Sequence, residues 1–72
     1  MLIEFSRHAE RRMKKRGISK MQIERMLTTP LKIEHLEGDK FMYYHKQNGA
    51  VLVAVVEKKR DRFTVITTYH ED

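Results

Sequence analysis

Seventy-two residues make one small domain, spanning 1–72, and the absence of cysteine excludes both disulfides and a thiolate zinc site. The longest nearly apolar run, Ala50 to Val56, falls far short of the roughly 20 residues a spanning helix needs, and the start of the chain lacks the basic-then-apolar order of a signal peptide. The expectation is therefore a cytoplasmic protein without membrane contact, held by a hydrophobic core that a homodimer would extend. The formal charge of +5 is confined to one part of the chain: residues 1–30 hold eight Lys or Arg against three acids, whereas residues 31–72 hold seven against seven. Confinement of this kind favours a polyanionic partner over a diffuse solubility effect.

Leu2 to Phe5 is apolar apart from Glu4 and predicts a short strand or an arm beside the first helix. Ser6 is a natural N-cap, and Gly17 stands where a left-handed residue ends a helix, with Ile18 placed to pack back on Met13, so a helix is expected over 7–16. Ser19 and Gln22 fit a capping box, Ile23, Met26 and Leu27 share one face, and Pro30 stops extension, which predicts a second helix over 20–28. From Leu31 the periodicity becomes alternating, with turns at Gly38-Asp39, Asn48-Gly49 and Lys58 to Asp61. Four strands are expected, near 31–37, 40–46, 50–57 and 62–69. Asn48-Gly49 suits a type I′ hairpin, and the Val51 to Val56 run is apolar on both faces, which places it centrally. The fold class is thus α+β, two N-terminal helices packed on an antiparallel sheet of about four strands.

The first helix carries the chemistry. At 100° per residue Ala9 and Met13 form its apolar stripe, while His8, Arg12 and Arg16 lie along one border, about 6 Å apart along the axis. Arg7, Arg11, Lys14 and Lys15 occupy the solvated side. Arg7/Arg11, Arg11/Lys15 and Arg12/Arg16 are like-charge i, i+4 pairs, each costing about 0.2–0.5 kcal/mol. A helix so poorly optimised for stability argues that its charges serve binding. Arg12 and Arg16 must run their stems along the helix–sheet seam, and a guanidinium at such a rim suits bidentate phosphate binding unless Glu34, Glu37 or Glu57 pairs with it. His8, in the first turn, is placed to exchange a proton.

No pair of histidines has helical metal spacing, no carboxylate cluster occurs, and neither a serine-nucleophile motif nor a phosphate-cradling glycine loop is present, so no metal and no cofactor are expected. Strict alternation along the last strand puts Phe63, Val65, Thr67 and Tyr69 on one face and Thr64, Ile66, Thr68 and His70 on the other. Tyr43 and Tyr44 likewise point to opposite faces, so one of them is free to stack a base.

The order His8, Arg12, Arg16-Gly17-Ile18, a second helix ending near Pro30, and a hairpin-rich sheet closing on Thr67-Thr68-Tyr69 resembles a family of small prokaryotic domains grouped with the RelE and BrnT toxins. The resemblance implies a RelE-like fold and a metal-independent site for cleaving mRNA, on the ribosome or free, held in check by an antitoxin protein. It implies catalytic roles for His8, Arg12, Arg16 and Tyr69, with His70 as the substitute from the last strand. The chain departs from that pattern in having no clear acidic base on the inner face of the sheet. The expected function is an endoribonuclease toxin that binds RNA through Arg7, Arg11, Lys14, Lys15, Tyr43 and Tyr44. The alternatives are a non-catalytic nucleic-acid-binding accessory or regulatory protein, and a domain that docks an acidic protein segment.

Overall fold

A computed structural model describes residues 1–71. The elements run β1 (Leu2–Phe5), α1 (Arg7–Arg16), α2 (Lys20–Thr28), β2 (Lys32–His35), β3 (Lys40–Gln47), β4 (Ala50–Lys59) and β5 (Arg62–Glu71). Both helices have the expected bounds, because local chemistry defines their ends. The Ser6 side chain accepts a hydrogen bond from the Ala9 N–H, and Ser19 and Gln22 form a reciprocal capping box. Gly17 closes α1 at φ 69°, and the Ile18 N–H donates to the Met13 carbonyl at 2.9 Å, which seats Ile18 in the core beside Met13.

The sheet corrects the expectation of about four antiparallel strands. It has five, in the order β1-β5-β4-β3-β2, and the β1–β5 pair is parallel. Leu2 to Phe5 is thus a strand at one edge, and β2 forms the other. The remaining pairs are antiparallel and joined by tight hairpins, one of them at Asn48-Gly49 with φ of 49° and 82°. Only the α1–α2 connection crosses the sheet, from edge strand to edge strand. It covers a single face.

That covered face is the core. Leu52, Ala54 and Val56 of β4 and Tyr43 of β3 pack with Ala9, Met13, Ile18, Ile23, Met26 and Leu27 of the helical segment. β4 is central, as its two-sided apolar run requires.

The last strand does not alternate strictly. Val55 pairs with Thr67 but Val56 with Val65, so Ile66 is an extra residue in a β-bulge. The bulge is tied from the far end of the chain: the Ser6 N–H donates to the Val65 carbonyl at 3.0 Å, and the Ser6 hydroxyl donates to the Ile66 carbonyl at 2.7 Å. Upstream of it Phe63 and Val65 face the helices. Downstream the phase is reversed, and Thr68 enters the core fully buried, its hydroxyl donating to the Val53 carbonyl at 2.7 Å. Among the described residues no helix is long and apolar enough to cross a membrane.

Candidate nucleic-acid interface

Strand register decides which candidate residues share a side. Leu52, a core residue, lies between His45 and His70, so both imidazoles belong to the helix-bearing face. Val53, the next residue, lies between Tyr44 and Tyr69, which puts those phenols on the opposite, open face. The grouping of Tyr69 with Phe63 and Val65 is therefore overturned by the bulge at Ile66, and Tyr69 does not stand on the side of α1. His70 does.

On α1, Ala9 and Met13 are buried and form the packed stripe, as the helical projection requires. Arg12 beside them is half-buried, whereas His8 and Arg16 are exposed at either end of the same row. Arg7, Arg11, Lys14 and Lys15 are exposed on the outer side. The carboxylates of Glu34, Glu37 and Glu57 do not pair with this row. Among the described residues the ion pairs are Lys32–Glu34 and Arg62–Glu4, both on the sheet, so all six arginines and lysines of α1 lack an acidic partner. Lys20 and Lys58 add to the same side, each with its ammonium 5.4 Å from a ring centroid, over Phe5 and Phe63 respectively.

Tyr43 is not available to a nucleic acid. It is buried to 5% exposure in the core, edge-on to Phe63 at 6.1 Å, and burial raises the pKa of its phenol. Tyr44 is the outward member of the pair. Its hydroxyl donates to the Glu34 carboxylate, and this bond to an anion, with burial and the charge of Glu34 adding to it, pushes the phenol up to about 12. The Lys32 ammonium sits 4.7 Å from the Tyr44 ring centroid, and Leu31, Lys32, Tyr44, Val51 and Glu71 line a shallow depression of about 350 Å³ on the open face.

The side bearing α1 thus presents cations without an acidic partner among the described residues, one of them, Arg12, half-buried beside the packed stripe, together with imidazoles, and such groups suit a phosphate backbone. Among the described residues no three His, Asp or Glu side chains gather where they could hold a metal ion. His45 is the residue that sequence reasoning left without a place. The two-residue Asn48-Gly49 turn could have found it, because it fixes His45 opposite Leu52.

No curated protein and no solved structure matches the chain, and nothing in the comparisons connects it to RelE or BrnT toxins. Residues 5–70, from the end of β1 to His70, match the model of the family described as Domain of unknown function (DUF4258), and the chain belongs to that family.

Proposed function

We propose that the protein binds RNA through the side that carries α1 and cleaves it without a metal, as the toxin half of a toxin–antitoxin pair with a RelE-like fold. The observation that carries this reading is that, among the described residues, Arg7, Arg11, Arg12, Lys14, Lys15 and Arg16 have no acidic partner. Six cations in ten residues repel one another, and a polyanion is the ligand that relieves the repulsion.

In the reaction the 2′-hydroxyl of the RNA loses its proton to an imidazole and its oxygen attacks the adjacent phosphorus. The bond from phosphorus to the 5′-oxygen breaks, that oxygen takes a proton from a second acid, and a 2′,3′-cyclic phosphate remains. His8 and His70 are the proton carriers in this scheme, and Arg12 and Arg16 hold the phosphate as its charge grows. Proton transfer by positioned groups contributes about 10²–10⁴ in rate, and the cations and positioning supply the rest.

The test is cleavage of a labelled RNA in excess EDTA, with cyclic phosphate ends as the readout. His8→Ala, Arg16→Ala and His70→Ala are expected to abolish cleavage without lowering the melting temperature, while Tyr69→Ala preserves it. Unchanged cleavage in the first two variants sinks the catalytic assignment. Salt-dependent RNA binding with no cyclic phosphate ends from the native protein would instead make it a non-catalytic binding module.

A further inference from the structure

The open face of the sheet is made of different material from the helix layer. Register places three rows on it: Lys46, Val51 and Glu71; Lys32, Tyr44, Val53 and Tyr69; and Glu34, Met42, Val55 and Thr67. The middle of this surface is apolar and aromatic, with Met42, Tyr44, Val51, Val55 and Tyr69 all half-exposed, and charges of both signs stand around it. Because the helical crossover lies entirely on the other side, no element of the described chain covers these rows. An apolar centre with a mixed polar rim is the anatomy of a protein interface.

The rim is also self-complementary. Lys46 and Glu71 flank Val51 from β3 and β5, two strand spacings or about 10 Å apart, and make no ion pair with each other. A two-fold axis running along β4, in the plane between two stacked sheets, exchanges the β3 and β5 sides. Lys46 of one copy then meets Glu71 of the other, Tyr44 meets Tyr69, Met42 meets Thr67, and Val51 and Val55 meet their own counterparts. Glu57, which would meet itself farther along β4, has Lys40 as its cross-strand neighbour. A stable dimer buries about 800 Å² per partner, about a sixth of the 5069 Å² surface of this chain. One broad side of a molecule measuring 30 × 24 × 20 Å can provide that share.

We infer that the open face is the interface of a homodimer, two copies stacking their sheets about a two-fold axis along β4 with reciprocal Lys46–Glu71 pairs. The inference stands independently of what the helix layer binds. It leaves both basic layers on the outside of the assembly, pointing in opposite directions.

Sedimentation equilibrium over a micromolar-to-millimolar concentration series tests it, with circular dichroism melts to verify folding. The native chain is expected to dimerise. Lys46→Glu and Glu71→Lys each place two like-charge pairs in the interface and are expected to raise the dimer dissociation constant by about tenfold. The double variant restores opposite charges in reverse and is expected to return close to the native value. A native chain that stays monomeric throughout, or a double variant no better than the singles, overturns the inference. So does a loss of RNA affinity in Tyr44→Ala and Tyr69→Ala at unchanged oligomeric state, since a nucleic acid would then occupy the face.

Discussion

Among the described residues the cations of α1 have no acidic partner, whereas three of those on the sheet are placed beside acids: Lys32 with Glu34, Arg62 with Glu4, and Lys40 opposite Glu57. The two sides of one thin molecule therefore treat charge differently. On the sheet, opposite signs are neighbours at these three places, although Lys59 lies across from Arg62 near the β4–β5 turn, and a surface with charges of both signs fits another balanced surface. On the helix layer they are left to repel, which costs stability and, in the function proposed above, is relieved by a polyanion. The difference follows from chain order. All the hairpins belong to residues 31–72, whose net charge is zero, and the crossover belongs to the basic first 30 residues.

The sharpest way to break this comparison is through the core that separates the two faces. Leu52 is 1% exposed beneath the helices, and Leu52→Ala is expected to cost about 2–5 kcal/mol in urea unfolding. Val55, half-exposed on the open side, is expected to tolerate Thr within about 1 kcal/mol in the same measurement at high dilution. Equal costs would mean that the sheet has two covered faces.

A smaller effect sharpens the electrostatic side. Replacing Arg7, Arg11, Lys14 and Lys15 together by Gln is expected to lower the slope of log affinity against log salt for single-stranded RNA by about 3. The melting temperature should stay level or rise, because the Arg7/Arg11 and Arg11/Lys15 repulsions, about 0.2–0.5 kcal/mol each, disappear. Lys46→Gln should leave the slope unchanged. If it lowers the slope as much per charge, the helix layer has no special claim on RNA.

The smallest effect lies on the open face. Tyr44 has its phenol raised to about 12 by its bond to Glu34, above the ordinary 10.0, so folding favours the neutral phenol. Its contribution to stability is complete below about pH 10 and is lost as pH rises through about 12. Following tyrosinate absorbance in the native protein and in Glu34→Gln checks this, and the variant should titrate closer to 10.

Legibility in the sequence tracked the range of the interactions. Ser6, Gly17, Ser19 and Gln22 act within a turn or two of themselves, so both helices could be bounded from composition and spacing alone. The Asn48-Gly49 turn is local too, and it fixed the β3–β4 hairpin. The parallel β1–β5 pair joins opposite ends of the chain, and four residues from Leu2 to Phe5 carry too short a pattern to announce it. Tyr43 and Tyr44 could be assigned to opposite faces by alternation, but only the register with Ala54 and Val53 tells which is core. Strict alternation groups Thr67 and Tyr69 with Phe63 and Val65, and the grouping fails beyond Ile66 because a bulge held by a hydrogen bond across 60 residues leaves no local mark.

That bulge makes the two ends of the chain share one decision. Ser6 begins α1 and, through the Val65 and Ile66 carbonyls, also sets the phase of everything downstream in β5. Moving the phase by one residue would exchange the surroundings of Tyr69 and His70 and push the Thr68 hydroxyl out of the core. Shortening the N-terminus past Ser6 would thus be felt at the C-terminal strand, as a change in which side each residue serves rather than as a loss of charge.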